Sequence, residues 1–265
     1  MLPYRQPPSL ALPLGLRLEA FGLLSTLGTY VGAVLGARAA RRYAPGDDGP
    51  LKGVTSWAIG FGLLGAHLLH VLGYHPELLT EQGPLVLLKV WDGLSSMGGV
   101  LGALLGIFFY FHRSGLPVTP YLDALALGTA PGWMIARVGC FLAHDHPGVR
   151  TSFPLAVLYP GGPRHDLGLY DALVLAALSV LLYALARKRR PQGLLMGLLA
   201  VGYSACRFCL DFLRASDLSF VDKRFFGLTP AQYIVLGLFA AGVYLLVRAG
   251  RASAGAGVDT PGAIL

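Results

Sequence analysis

Long apolar runs, each close to the ~20 residues that a helix needs to cross a bilayer, alternate along this chain with short polar and basic segments. The runs extend from Leu18 to about Ala37, Val54 to Tyr74, Leu94 to Phe111, Tyr121 to Leu142, Leu167 to Ala186, Leu194 to Leu213 and Pro230 to Val247. This pattern predicts an all-α polytopic membrane protein with about seven transmembrane helices. Two runs carry glycine at four-residue spacing, Gly28, Gly32 and Gly36 in the first and Gly98, Gly102 and Gly106 in the third. Such ridges let a second helix approach closely. The first run is too long for a signal peptide and ends in Arg38, Arg41 and Arg42, so it reads as an uncleaved span.

Composition agrees. Hydrophobic residues make up 54% of the 265 positions and charged residues 13%, with a mean hydropathy of +0.60. The formal charge of +7 does not point to nucleic acid, because the basic residues gather in short loops between apolar runs, where they act as topology signals. Placing the N-terminus outside puts Arg38, Arg41, Arg42, Lys52, Arg113, Arg187–Arg190, Arg248 and Arg251 on the cytoplasmic side, together with the C-terminus. The whole chain, 1–265, reads as one integral-membrane domain, with residues 249–265 as a flexible tail. Three cysteines, Cys140, Cys206 and Cys209, do not make a disulfide framework, and the last two read as packing residues within the sixth run.

Against this apolar background, Arg137 and Arg207 stand out. With the orientation above and a rise of about 1.5 Å per residue, each lies roughly 8–10 Å inside the outer boundary. Tyr203, Arg207, Asp211 and Arg214 follow at four- and three-residue steps, forming one polar stripe. Either arginine alone could snorkel to the interface or pair with Asp211 for packing. Two at matched depth favour an anion site, and guanidinium grips phosphate through paired hydrogen bonds. The anion at that depth is a phospholipid headgroup. Histidines cluster in the same half: His67 and His70 share a face, His144 and His146 flank Asp145, and His165 follows Arg164. Imidazoles with a carboxylate can hold zinc, but the short His-x-His spacing before Pro147-Gly148 fits a turn better, and no metal or other cofactor is expected. A transporter needs a polar path through the inner half, which offers little beyond Asp123.

The motifs resemble the prolipoprotein diacylglyceryl transferase family, over about residues 13–246. Leu16–Leu23 is similar to the family's opening of the first span, and Gly65-Ala66-His67 to a stretch of its second. Met97-Gly98-Gly99 stands where the family has His-Gly-Gly, and Arg137-Val138-Gly139-Cys140-Phe141 where it has Arg-x-Gly-Asn-Phe. Arg164-His165 with Leu169-Tyr170, and the stripe from Tyr203 through Arg207-Phe208 and Asp211-Phe212 to Arg214, follow further family segments. The resemblance implies transfer of a diacylglyceryl group from phosphatidylglycerol, or another anionic phospholipid, to a cysteine thiol of a lipobox-bearing precursor at the bacterial cytoplasmic membrane. It implies a phosphate grip at Arg137 and Arg207, and substrate contacts from Tyr203, Asp211, Gly98, Gly99, Gly139, Arg164, His67 and His70.

The chain departs from the family pattern at five positions: Met97 replaces the histidine regarded as proton acceptor, Cys140 and Ala143 replace asparagines, Asp145 a glutamate and Phe21 a tyrosine. A thiol near neutral pH is mostly protonated, and Met97 cannot act as a base. A histidine of the His144-Asp145-His146 triplet is the preferred replacement, ahead of His67 and His70, because the triplet follows Arg137 on one segment and Asp145 could orient an imidazole; histidine's unperturbed pKa of about 6.5 suits the task. The alternative is an inactive or repurposed paralog that keeps the arginines and binds phospholipid headgroups without turnover.

Overall fold

A computed structural model describes residues 1–7, 9–11, 17–43, 49–90, 93–218 and 224–256. The chain divides into two compact units, one formed by 1–43 with 122–265 and the other by 44–121. Among the described residues six helices are long and apolar enough to cross a membrane: Ala20–Tyr43, Gly49–Tyr74, Thr119–Ala143, Leu167–Leu185, Leu194–Leu213 and Pro230–Ser253. The third apolar run also folds as a helix, Ser96–Ser114, but is not among those six.

The first unit begins with three short strands, β1 (Leu2–Pro3), β2 (Ser9–Ala11) and β3 (Arg17–Glu19), which leads into α1 (Ala20–Tyr43). In the second unit α2 (Gly49–Leu69) continues into a π-helical turn, His70–Tyr74, followed by the short α3 (Glu77–Glu81) and by α4 (Ser96–Ser114). The first unit resumes with α5 (Thr119–Ala143), whose opening residues belong to the second, then β4 (Pro147–Arg150), β5 (Val157–Tyr159), β6 (Gly162–Asp166), α6 (Leu167–Leu185), α7 (Leu194–Leu210) and α8 (Pro230–Ala256). The last helix thus runs into the segment expected to be a flexible tail, of which residues 257–265 lie outside the described part.

Both glycine ridges are packing surfaces. A Cβ on Gly28 would lie 2.3 Å from the carbonyl oxygen of Gly132, and one on Gly128 2.3 Å from that of Gly32, so α1 and α5 cross with their backbones in contact. On α4, a Cβ at Gly98 would lie 2.2 Å from Gly65 O, and one at Gly102 2.1 Å from Phe61 O, which is the same device between α4 and α2.

Polar groups inside the first unit have local tasks. Pro131 interrupts α5 and has no N–H for the carbonyl of Leu127; the Tyr183 hydroxyl donates to that oxygen at 3.0 Å instead. Asp123 is buried, and its carboxylate accepts from the backbone N–H groups of Gly193, Leu195 and Met196 at 3.0, 2.9 and 3.1 Å, capping α7. Nearby, the Tyr43 hydroxyl and the Arg42 guanidinium donate to the carbonyls of Ala186 and Arg187, which joins the basic end of α1 to that of α6.

At the opposite end the helices carry a small sheet, so the chain is mostly rather than purely helical. Its order is β1-β5-β6-β4, with β1 parallel to β5 and the other pairs antiparallel. A bridge between Gly148 and Arg214 ties β4 to the segment after α7. A Cβ at Gly148 would meet Leu213 O at 2.6 Å, so only glycine permits this approach.

Candidate active site

Where α5, α6 and α7 meet at the sheet end, Arg137 and Arg207 converge on one carboxylate, that of Asp171. Its Oδ2 lies 3.4 Å from Arg137 Nε and 3.6 Å from Arg207 Nη1. The Asp171 side chain is 1% exposed, so burial leaves it dependent on these cations. Arg207 also reaches Asp211 at 2.9 Å, one helical turn on, and Arg214 Nε approaches the same oxygen at 3.2 Å. The Thr229 hydroxyl donates to the other Asp211 oxygen, and Gln232 Nε2 donates to Phe208 O at 3.1 Å, so the start of α8 is fastened to the end of α7. The Arg137 guanidinium lies over the Trp133 ring, 5.7 Å from its centre, and Trp133 packs on Tyr203 at 4.4 Å.

The ion contacts at Asp171 are close but not aligned. Among the described residues, Arg137 Nε, Arg207 Nη1, both Asp171 oxygens and the Ser204 hydroxyl are buried without a hydrogen-bond partner. Buried polar groups are normally paired, and here the guanidinium groups and the Asp171 carboxylate face one another at ion-pair distance without hydrogen-bond alignment. Guanidinium N–H groups held in this way suit an oxyanion such as phosphate.

Beside it lies a second constellation. The chain turns out of α5 at His144, whose φ of 52° falls in the left-handed region. Its Nδ1 is 3.0 Å from Oδ2 of Asp166, which is fully buried. Asp166 also accepts from the Tyr159 hydroxyl at 2.7 Å and, as the N-cap of α6, from Leu169 N at 3.1 Å. Burial, followed by the Asp166 carboxylate, pushes the Tyr159 phenol well up, so it remains a donor. Tyr4 stacks on the imidazole at 4.6 Å and Phe141 meets it edge-on at 5.6 Å. A carboxylate on Nδ1 fixes the tautomer that leaves Nε2 with the basic lone pair. Asp145, by contrast, pairs with His146 Nδ1.

The other expected site residues have different surroundings. Arg164 is buried and makes a two-pronged pair with Asp217, at 2.8 and 2.5 Å, while also donating to Gly148 O. His165 Nδ1 bonds the Tyr170 hydroxyl at 2.8 Å, and burial pushes its pKa down. Gly139 packs α5 on α1, against Leu24 and Phe21. In the second unit His67 is buried with Nδ1 3.2 Å from Gly93 O and Nε2 2.9 Å from Val86 O. His70 lies against His75 and abuts Gly93, and Gly98 and Gly99 face α2. Leu16 and the side chains of Arg17, Leu18 and Met97 lie outside the described part.

Asp171 and Asp166 were not singled out from the sequence. Asp171 is the one acidic residue within the fifth apolar run, the same signal that marked the arginines. Asp166 precedes that run at the position of a helix cap, which conceals its second contact.

Comparison with known proteins bears on the same residues. A model of the prolipoprotein diacylglyceryl transferase family matches residues 9–248. A phosphatidylglycerol–prolipoprotein diacylglyceryl transferase of Nitratidesulfovibrio vulgaris is 31% identical over 255 residues, covering 94% of this chain and 96% of the relative. One of Pseudomonas aeruginosa is 30% identical over 261 residues, covering 96% and 98%, and one of Cereibacter sphaeroides is 30% identical over 236 residues, covering 78% and 80%. The match spans both units and includes the arginines, Asp171 and the His144 loop, and the chain belongs to the prolipoprotein diacylglyceryl transferase family.

Proposed function

We propose that this chain transfers the diacylglyceryl group of phosphatidylglycerol to the cysteine thiol of a lipobox-bearing prolipoprotein. The observation that carries the reading is the convergence of Arg137 and Arg207 on Asp171, with buried N–H donors left unaligned. In this reading Asp171 and Asp211 hold the guanidinium groups apart and oriented, and the lipid phosphate receives their N–H groups. The acceptor sulfur forms a C–S bond to the glyceryl carbon as the C–O bond to phosphate breaks, and the electron pair leaves with glycerol phosphate. The arginines stabilise the charge that develops on that leaving group, in surroundings where such contacts are strong.

His144 takes the thiol proton on Nε2, with Asp166 supporting the imidazolium that forms. The buried carboxylate and the aromatic packing favour this role for His144, while Asp145 and His146 form a separate pair on the same loop. Tyr203 shapes the pocket wall through Trp133.

The topology that accompanies this reading has seven spans, with the N-terminus outside and the C-terminus cytoplasmic, in a bacterial cytoplasmic membrane. The end of α1 and the start of α5 lie on one side of the first unit, near Ala186 and Gly193 respectively. That side carries Arg42 and Arg187–Arg190, as the positive-inside rule requires of a cytoplasmic face.

Met97, where the resemblance implies a histidine, favours a second reading, a paralog that binds headgroups without turnover. Incubating the purified protein with labelled phosphatidylglycerol and a lipobox peptide separates the two. A thioether-linked diacylglyceryl peptide is expected; saturable lipid binding with no such product would favour the second reading.

A further inference from the structure

The segment that closes α5 holds another group of side chains for which the phosphate grip and the base have no use. Cys140, Asp145 and His146 each offer a ligand atom, and these atoms all lie within 4.8 Å of one another. Zinc bound tetrahedrally, with Zn–S of about 2.3 Å and Zn–N or Zn–O of about 2.0–2.2 Å, sets its ligand atoms about 3.3–3.7 Å apart. Side-chain rotation closes the difference, because Asp145 is exposed and His146 only half-buried, on a loop that Cys140 precedes at the helix end.

Charge and donor chemistry fit a divalent metal. A thiolate and a carboxylate together cancel a dication, which matters beside a buried thiol in a low-dielectric site. Cys140 is buried at the end of α5, and Arg137 Nη1 lies 3.7 Å from its Sγ. One sulfur, one nitrogen and one oxygen suit zinc rather than magnesium or calcium, and three protein ligands leave a fourth position open, the arrangement of catalytic zinc.

We propose that Cys140, Asp145 and His146 bind a zinc-class metal ion whose open position receives the acceptor thiol. The binding site stands on its own, and the role of the metal rests on the transferase reading. When the thiol coordinates, its S–H bond breaks and the proton passes to His144 or to water, leaving a thiolate to attack the glyceryl carbon. Sulfur gains the C–S bond, the C–O bond to phosphate breaks, and glycerol phosphate departs with the electron pair; nothing is oxidised or reduced.

The test is cobalt(II) titration of the purified full-length protein in detergent, read by absorbance, with zinc content measured in parallel. Equimolar binding with a thiolate-to-cobalt charge-transfer band and tetrahedral ligand-field bands is expected. The band disappears in Cys140→Asn, with folding checked by a melting curve, weakens in His146→Ala, and persists in Cys206→Ser and Cys209→Ser. A band that survives Cys140→Asn, or folded native protein that binds no cobalt, overturns the site. Stripping the metal with a chelator should lower thiol transfer by about tenfold or more, with recovery on adding zinc. Undiminished transfer after stripping overturns the metal's role. A protein that binds cobalt as described yet transfers nothing leaves the site standing and removes the transferase reading instead.

Discussion

Two sets of arginines near the sheet end of this molecule are both largely buried and both paired with aspartate, yet their hydrogen bonding differs. Arg164 makes two short, parallel hydrogen bonds to Asp217 and a third to Gly148 O, so its donors are matched by protein acceptors. Arg137 and Arg207 instead meet across one Asp171 oxygen at 3.4 and 3.6 Å, with an N–H of each lacking an aligned acceptor among the described residues. A matched guanidinium fastens the chain; an unmatched one retains capacity for a ligand. Sequence position sets Arg137 and Arg207 inside apolar runs and Arg164 outside them, and hydrogen-bond alignment separates them again.

The largest effect is expected where the donors are unmatched. Arg137→Lys and Arg207→Lys keep the charge that Asp171 needs but remove the planar fork, so transfer should fall by about 10²–10³-fold with little change in thermal stability. The measurement is initial rate of thioether formation beside a melting curve. Unaltered rates in both variants would put Arg137 and Arg207 in the same class as Arg164.

A smaller loss is expected at the base. His144→Gln and Asp166→Asn should each reduce transfer by about 10²-fold, with part of the rate returning at higher pH, where more of the acceptor thiol ionises without help. A pH series of initial rates checks this, and a variant profile parallel to the native one would remove His144 from the proton-transfer step.

The matched arginine should affect stability alone. Asp217→Asn should lower the thermal midpoint modestly and leave transfer per folded molecule unchanged. Arg164 holds the Asp217 carboxyl at about 2, below its ordinary value of about 3.9, so the pair's contribution is complete above that ordinary value and fades as pH falls towards the lower one. The difference in midpoint between native protein and Asp217→Asn should therefore be constant near neutrality and shrink in acid. A difference that grew in acid would contradict the pairing.

Much of this contrast was readable in the chain beforehand, and its limits have physical causes. Arg137 and Arg207 were legible because a cation in an apolar run is costly wherever it points, and Asp211 because helical spacing puts it one turn from Arg207. Asp171 carried the same signal, a charge within an apolar run, but its partners come from two other helices, a tertiary fact that no local period encodes. The same reason led from His144 to Asp145, its chain neighbour, whereas the carboxylate on the ring is Asp166, brought there by β6. The strands themselves were hidden: 147–166 is short, rich in proline and glycine, and lacks the alternation by which strands are recognised. The glycine ridge of α1 announced a close helix contact, but its partner on α5 emerges only from the fold.

The most direct test of the central claim is binding of glycerol phosphate, the leaving group, to purified native protein and three variants by isothermal titration calorimetry. The account predicts saturable binding to native protein and to Asp217→Asn, and its loss in Arg137→Lys and Arg207→Lys. Binding that both lysine variants retain and Asp217→Asn lacks would contradict it, and would move the phosphate site to Arg164.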